Sequence, residues 1–144
     1  MGGAVFNNGG TVTITNSTLS SNSAQGKTTG ASSQYSAGVG GAVFSRNGTL
    51  TVLNSTITAN SVSGSTSSTG RGIYVLGDGT TATAALDNTI VAESNATTTD
   101  VVAGTLNSGA TSASGVGNLI RTTLGLTGVT IVSSADPLLG SLAD

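Results

Sequence analysis

The chain has 144 residues, a formal net charge of −2 and only 7% charged residues, and it contains neither cysteine nor histidine. Its four basic residues are too few for the positive surface that a nucleic acid requires, so we expect no nucleic-acid partner. No apolar run approaches the roughly 20 residues that a membrane-spanning helix needs, so we expect no membrane-spanning segment. The length favours one domain covering residues 1–144.

The first predicted strand covers residues 11–15, where threonine alternates with valine and isoleucine. A period of two is typical of a strand with one wet face and one dry face, so Val12 and Ile14 should point inward. Asn16 and Asn22 follow at two predicted corners, because asparagine tolerates the left-handed backbone conformation and bonds locally. A second short strand lies between these corners, and the Gly-Gly-Ala-Val-Phe run at residues 2–6 is a third.

The same pattern returns 38 residues later. The run Gly-Gly-Ala-Val-Phe occurs at 2–6 and at 40–44, and Asn54 stands 38 residues after Asn16. An unbroken register of this kind indicates stacked, equivalent structural units. Strands this short cannot pair within one unit, whereas a coiled chain lets each strand pair in parallel with its equivalent one repeat away. We predict an all-β fold: a right-handed parallel β-helix, or solenoid, of about four to five turns.

A third, less regular copy follows the second. Residues 70–74 match 40–44 at an offset of 30, and residues 84–90 match 51–57 at an offset of 33. The three extra residues fall within 75–80, a glycine-rich turn that can absorb an insertion. Later apolar stretches predict a degenerate fourth and fifth turn at residues 101–106, 116–120 and 124–132. We interpret the whole chain as a fragment of a longer repeat protein.

Two inserts rich in serine, threonine and glycine interrupt the repeats. They cover residues 25–39 and 63–69, and they leave the repeat just after the equivalent positions Ala24 and Val62. Shared exit points predict that both inserts lie side by side on one edge. Loops of this kind often carry recognition, which makes them the candidate surface for a glycan or another surface ligand. The simpler interpretation is a pair of solvated loops without a ligand.

Stacked repeats also place equivalent side chains in ladders along the bends, where they can bond to each other and to the backbone. The predicted structural residues are one ladder of Asn16, Asn54 and Asp87 and a second ladder of Asn22, Asn60 and Glu93. We interpret Asp87 and Glu93 as ladder members at the point where the repeat changes, rather than as catalytic groups.

The outward threonines of the first two copies form a candidate binding face. Its predicted members are Thr11, Thr13, Thr15, Thr49 and Thr51. A flat array of threonines on a β-helix resembles the ice-binding surface of some antifreeze proteins, which gives one alternative function. We expect the array to decay, because Leu53 replaces Thr15 and the third copy offers Ala82, Ala84 and Leu86. The ordinary preference of threonine for strands explains the same residues without a ligand.

The absence of histidine and cysteine removes most general bases, thiol nucleophiles and the usual zinc ligands. Glycosidases need two carboxylates at a set separation, and Asp87 with Glu93 at consecutive bends is the candidate pair. A carbohydrate-active β-helix enzyme, either a polysaccharide lyase or a hydrolase, is therefore a second alternative function. Residues 77–80 are too short to form a calcium cage. We assign no catalytic residue, metal or cofactor.

The second copy carries a pair of motifs. Gly40-Gly41-Ala42-Val43 and Phe44-Ser45-Arg46-Asn47 fit the paired GGA[ILV] and FxxN motifs of polymorphic outer-membrane proteins. The repeats as a whole resemble those of bacterial secreted right-handed β-helix proteins of the predicted outer-membrane-repeat type. The first copy departs from this pattern, because Phe6-Asn7-Asn8-Gly9 lacks the asparagine of the FxxN motif.

Four later segments are similar, in the same order, to the closing region of large repeat proteins of the choice-of-anchor Q type. These segments are Asn88–Ala92, Asp100–Val101, Asn118–Ile120 and Ala135–Asp144. In that family the chain continues past the equivalent of Asp144 toward a cell-surface anchor. The resemblance implies an extracellular or bacterial cell-surface location, and the family supplies no activity and no catalytic residues.

Together these observations favour a non-enzymatic structural or adhesive segment of an exported bacterial surface protein. A short solenoid has two open ends with unpaired strand edges, which natural proteins normally cover. We therefore expect end-to-end association into a homo-oligomer, or a cap over the C-terminal end formed by the tail at residues 138–142.

Overall fold

The computed structural model describes residues 1–26, 37–64, 69–92 and 98–140. Within these ranges the chain forms fifteen β-strands and no helix. The strands are β1 (Val5–Asn8), β2 (Thr11–Thr15), β3 (Thr18–Ser20), β4 (Ser23–Gln25), β5 (Val43–Arg46), β6 (Thr49–Leu53), β7 (Thr56–Thr58), β8 (Ser61–Ser63), β9 (Ile73–Asp78), β10 (Thr81–Asp87), β11 (Ile90–Ala92), β12 (Val101–Leu106), β13 (Ala110–Ile120), β14 (Thr123–Leu124) and β15 (Val129–Ser133). Most of the two inserts, together with Glu93 and the end of the tail, lies outside the described residues.

Each strand pairs in parallel with the equivalent strand of the next repeat. One sheet has the order β1-β5-β9-β12-β14. A second follows the path β2-β6-β10-β13-β11-β7-β3, because the long strand β13 pairs with both β10 and β11, and β15 adds to β13. The short strands β4 and β8 form a third sheet. The predicted all-β fold with parallel pairing between repeats is confirmed.

The first two repeats lie in the predicted register of 38 residues. Thr11 pairs with Thr49 and Ile14 with Val52, so the apolar positions of β2 and β6 face the same side. Leu50 and Val52 are fully buried there. Burial of each such side chain is worth about 1.5–3 kcal/mol, and the core continues through the aliphatic residues Val43, Ile57, Ile73, Val75, Leu86, Val91, Val101 and Ile120.

The register of the third repeat differs from the prediction by one residue. Ala84 pairs with Leu50 and Leu86 with Val52, which is an offset of 34 rather than 33. The four extra residues enter the strands: β9 is two residues longer than β5, and β10 is two longer than β6. Because side chains alternate between the two faces of a strand, an even extension keeps the apolar set inward, whereas an odd one would turn it outward.

One glycine makes the close approach of neighbouring repeats possible. A Cβ on Gly41 would lie 2.1 Å from the carbonyl oxygen of Arg71 and 2.7 Å from that of Ser61. Only a residue without a side chain fits between these two backbone segments. Gly41 is therefore required by the packing at this corner.

The C-terminal end is less regular than the rest. β14 has two residues, and the pairing of β15 with β13 shifts register twice. In the tail, 84% of the surface of Leu138 and 42% of that of Leu139 is exposed. The predicted cap is therefore wrong for these two leucines, because neither is buried against the core, and Leu142 lies outside the described residues.

Candidate functional site

The corner after the second strand of each repeat is built from asparagine in the left-handed conformation. Asn16, Asn54 and Asn88 have φ angles of 50°, 49° and 50°. Asparagine and glycine are the residues that enter this region at little cost, and Gly117, with a φ of 74°, takes the same place in the fourth repeat. The backbone N–H of each asparagine donates to the repeat that follows it.

This arrangement corrects the predicted ladder of Asn16, Asn54 and Asp87. Asp87 pairs with Leu53, one position before the corner, and Asn88 is the equivalent of Asn54. Matching Asp87 to Asn54 by residue type gives the offset of 33, which the alternation of the strand does not allow. The Oδ1 of Asp87 instead accepts a hydrogen bond of 2.9 Å from the backbone N–H of Val116.

The residue after each corner asparagine carries the bonds between repeats, and sequence reasoning missed it. The Ser55 hydroxyl accepts from the backbone N–H of Ser17 at 3.2 Å and donates to the carbonyl of Leu53 at 2.7 Å. In the next repeats the backbone N–H of Thr89 donates to the Oδ1 of Asn118 at 3.0 Å. Ser55, Thr89 and Asn118 are buried. The sequence does contain a signal for these residues, a dipeptide at the corner of each repeat: Asn-Ser, Asn-Ser, Asn-Thr and Gly-Asn.

At the second predicted ladder the structure brings Asn22 and Asn60 together. The backbone N–H and the Nδ2 of Asn22 both donate to the Oδ1 of Asn60, at 2.9 and 3.0 Å. The Nδ2 of Asn60 donates to the carbonyls of Leu19 and Thr58, each at 2.9 Å. These bonds hold the two repeats together at the bend. Glu93, the third predicted member, lies outside the described residues.

The predicted threonine face lies outward and is longer than expected. Thr11 and Thr49 are joined in register by Thr83 and Ser112, and the Thr83 hydroxyl donates to that of Thr49 at 3.0 Å. A second row runs through Thr13, Thr51, Ala85 and Ser114. The predicted decay at Ala82, Ala84 and Leu86 is wrong, because these three side chains are buried on the opposite face. The row of Thr15 does change, to Leu53 and then Asp87.

An ionic cluster joins several repeats at another corner. The Nε and Nη2 of Arg46 donate to the Oδ2 of Asp78 at 3.0 and 2.7 Å, and the Nη1 of Arg46 donates to Asn8 at 3.1 Å. The Nδ2 of Asn107 donates to the other oxygen of Asp78 at 2.8 Å. The hydrogen bonds from Arg46 and then from Asn107 hold the pKa of Asp78 below its usual value of 3.8. This carboxylate is therefore committed to the fold as an anion.

The remaining carboxylates of the described residues do not converge. Asp87 and Asp78 lie at opposite ends of β10, because Asp78 precedes that strand and Asp87 closes it. Asp100 is buried and exchanges backbone and side-chain bonds with Thr122, at 3.0 and 3.1 Å. Asp136 lies in the tail, 3.4 Å from Arg121. Across the four described ranges no three acidic side chains gather in a way that could hold a metal ion.

A column of aromatic rings lies apart from the aliphatic core. Phe6 stacks on Phe44 with ring centres 5.6 Å apart and planes 10° apart, and Phe44 packs on Tyr74 at 5.7 Å. The register continues the column through Val102 and Leu124. Phe44 is 2% exposed, whereas Phe6 at the N-terminal end is 55% exposed. Burial raises the pKa of the Tyr74 phenol.

Comparisons with protein-family models, with curated proteins and with solved structures found no match to this chain. In the part of the chain that the structure describes, no helix is long and apolar enough to span a membrane.

Proposed function

We propose that the chain is a short right-handed parallel β-helix, and that it serves as a non-enzymatic structural or adhesive segment of an exported bacterial surface protein. The single observation that carries this proposal is the parallel pairing of each strand with its equivalent in the next repeat, from β1 through to β14. Connections between parallel strands of one sheet are right-handed in nearly all proteins. A coil of this kind is a stiff rod, which fits a protein that extends or displays a surface.

The use of the polar side chains supports a structural role. Ser55 and Asn60 bond to the neighbouring repeat, and Asp78 is shared between Arg46 and Asn107. A catalytic carboxylate or hydroxyl needs a free reacting atom beside a substrate-sized space. In this chain the polar side chains at the corners instead bond to backbone N–H and C=O groups where the regular strand pairing ends.

The position of the two inserts supports an adhesive role. Where the inserts begin, Gln25 pairs with Ser63 in the small sheet of β4 and β8. Where they end, Val39 forms a bridge with Thr69. Both inserts therefore start and finish side by side, which would allow one ligand to contact both. A rigid scaffold that carries adjacent loops is a common arrangement for recognition.

Binding to arrays of glycans and matrix proteins tests the adhesive proposal. One variant replaces residues 27–36 with glycine and serine at the same length, and a second replaces residues 65–68 in the same way. Both should fold like the wild type, because the strands on either side are retained, and both should lose array signals. The matched control is Thr18→Ser on the exposed position of β3, which should keep every signal. An array signal that survives both replacements would remove the inserts from the proposal.

Surface location is tested separately. Antibodies raised against the folded chain should label intact cells that express the native gene, with no gain after permeabilisation. Labelling that requires permeabilised cells would contradict an exported surface protein while leaving the fold proposal untouched.

Ice binding is a second candidate function, and one observation favours it. The rows of Thr11 and Thr13 keep small side chains through four repeats, ending at Ser112 and Ser114, and Ala85 alone in these rows lacks a hydroxyl. Thermal hysteresis of the purified chain tests this function. Thr51→Tyr in the centre of the face should abolish any hysteresis, whereas Thr18→Tyr on β3, outside these two rows, should preserve it. A chain with no hysteresis at all would exclude the function.

A further inference from the structure

The corner asparagine of the second repeat presents an unbonded carboxamide to solvent. Asn54 is exposed, and its backbone N–H, not its side chain, donates to the carbonyl of Asp87 at 3.0 Å. Within the described residues its carboxamide has no hydrogen-bond partner. The strand that follows, β7, pairs with β3 on one side and with β11 on the other. The exposure of Asn54 is therefore a property of the stacked repeats and does not depend on either end of the chain.

The two residues after Asn54 complete an acceptor motif for amide-linked sugars. Asn54-Ser55-Thr56 has the form Asn-X-Ser/Thr, in which X is not proline. Ser55 is buried, whereas Asn54 and Thr56 on either side of it reach the surface. The amide and the hydroxyl that the motif requires therefore lie on the same outer side of the corner. Residues 16–18 repeat this motif at the equivalent corner of the first repeat, and residues 95–97 fit it but lie outside the described residues.

Two other asparagines separate the contributions of motif and geometry. Asn88 is exposed at the same corner with a φ of 50°, but Ile90 stands where the motif needs a hydroxyl. Asn47-Gly48-Thr49 has the motif, but its amide is held by the neighbouring repeat. The Nδ2 of Asn47 donates to the carbonyl of Asp78 at 2.9 Å, and its Oδ1 accepts from the N–H of Asp78 at 2.7 Å. Among the described residues, the corners of the first and second repeats alone combine the motif with an unbonded amide.

We propose that Asn54, with Asn16 as a second site, accepts an amide-linked sugar from a donor activated as a glycosyl phosphate or diphosphate. The Nδ2 of Asn54 forms a bond to C1 of the sugar, and the bond between C1 and the phosphate oxygen of the donor breaks. The phosphate or diphosphate leaves with the electron pair of that bond, and the proton lost by Nδ2 passes to a base of the transferase. The backbone N–H of Asn54 takes no part, so its bond to Asp87 is retained.

The composition of the chain gives such a sugar a physical role. Only 7% of the residues are charged, whereas soluble proteins usually keep their surfaces hydrated with many charged side chains. An attached sugar is bulky and solubilising, and it needs an exposed side chain to carry it. A sugar at the corner therefore supplies hydration that the side chains of this protein do not. The inference goes beyond the proposed surface function, because it depends on the corner and not on what the inserts bind.

Peptide mapping by mass spectrometry tests the proposal on the whole chain purified from cells that express the native gene. Fragment spectra should place a sugar on Asn54 and leave Asn47 bare. An amidase that cleaves sugar–asparagine bonds should remove this mass and leave aspartate at position 54. Thr56→Val removes the hydroxyl and keeps the β-branched shape, so it should abolish the sugar on Asn54. Thr56→Ser is the matched control and should keep it, because serine also satisfies the motif.

Ile90→Thr tests the same rule as a gain of modification. It supplies the hydroxyl that the motif at Asn88 lacks, so a new sugar should appear on Asn88 while Asn54 stays modified. Circular dichroism should show the same strand signal for every variant. If Thr56→Val loses that signal, Asn54→Gly provides the second variant, because Gly117 already occupies this corner in the fourth repeat.

Two results overturn the proposal. A bare Asn54 in the wild type removes the site. A sugar on Asn47 at the same occupancy as on Asn54 also overturns it, because the unbonded amide of the corner would then not select the site. Antibody labelling keeps this test apart from that of surface location. A bare Asn54 on labelled intact cells contradicts the sugar alone, whereas a modified Asn54 in a chain labelled only after permeabilisation contradicts the surface location alone.

Discussion

The hydroxyl of Ser55 accepts a hydrogen bond from the backbone N–H of Ser17, 38 residues earlier, across 3.2 Å. The same hydroxyl donates to the carbonyl of Leu53 at 2.7 Å, so one small buried side chain satisfies two backbone groups of adjacent repeats. Ser55→Ala should lower the free energy of unfolding by about 1–3 kcal/mol, because the backbone N–H of Ser17 loses its acceptor inside the protein. The carbonyl of Leu53 keeps its bond from the backbone N–H of Asn16. The midpoint of urea unfolding at constant slope measures this loss.

Ser17→Ala is the control for that prediction. The Ser17 hydroxyl bonds to the carbonyl of Thr15 in an exposed position, so its removal should change stability by less than about 0.5 kcal/mol. Equal effects of the two substitutions would show that burial of the hydroxyl is not what stabilises this corner.

The left-handed backbone at Asn54, with a φ of 49°, predicts an unusual order of substitutions. Asn54→Gly should leave the thermal midpoint nearly unchanged, because glycine adopts this conformation freely and Gly117 already does so in the fourth repeat. Asn54→Val should cost about 1–2 kcal/mol or more, since a β-branched residue clashes there. Thermal unfolding followed by circular dichroism separates the two. Thr18→Val, in an ordinary strand, should be tolerated, and a tolerated Asn54→Val would contradict the role of the corner.

The ionic cluster around Asp78 predicts an acid-sensitive contribution to stability. Hydrogen bonds from Arg46 and Asn107 lower the pKa of Asp78 in the folded state below its usual value of 3.8. A lowered folded pKa adds stability at pH values above the unfolded pKa, and this stability disappears as the pH falls through the folded pKa. The midpoint of urea unfolding of the wild type should therefore decrease as the pH is lowered below 3.8.

Asp78→Asn tests this dependence, because it removes the titrating group and keeps the shape of the side chain. The variant should show a smaller drop in urea midpoint over the same acid range than the wild type. The double variant with Arg46→Gln should be little worse than Asp78→Asn alone, since the two side chains share one interaction. Parallel pH curves for wild type and Asp78→Asn would assign the acid sensitivity to another group.

The close packing at Gly41 predicts a severe effect from one methyl group. Gly41→Ala places a Cβ 2.1 Å from the carbonyl oxygen of Arg71, and backbone on both sides leaves no room to move. We expect a loss of about 3 kcal/mol or more, or no folded product. Gly140→Ala, where no atom lies within 4 Å, should be neutral. Soluble yield and denaturant midpoint report both results, and a stable Gly41→Ala would mean that the repeats can separate at this corner.

The first two repeats could be predicted from sequence because identical residues recur at one offset. Thr11 pairs with Thr49 as that offset requires. The third repeat could not, because residue type and strand alternation disagree there. Asp87 is similar in type to Asn54, yet the inward position of Leu86 fixes the register one residue later. In a half-buried strand the alternation of side chains determines the register, because a slip of one residue would expose all of its apolar side chains.

The buried corner residues were missed for a different reason. Ser55 and Asn118 each accept from a backbone N–H of the preceding repeat and donate to a carbonyl. The Thr89 hydroxyl donates to the carbonyl of Asp87, as Ser55 does to that of Leu53, so three residue types bond to the backbone at the same corner. A search for repeated letters finds the exposed asparagine beside them more easily. The irregular C-terminal end also could not be read from the sequence, since the register shifts of β15 appear only in its pairing with β13.

The four residues added in the third repeat show how one repeat of a parallel stack can become wider than its neighbours. Two of them lengthen β9 and two lengthen β10, while the apolar faces of both strands keep their direction. An insertion that lengthens the strands of one repeat in steps of two widens that repeat and leaves the pairing of the repeats on either side unchanged. Evolution could therefore change the width of such a protein one repeat at a time. Insertions of a single residue into a strand would be selected against, because they turn the apolar side chains outward.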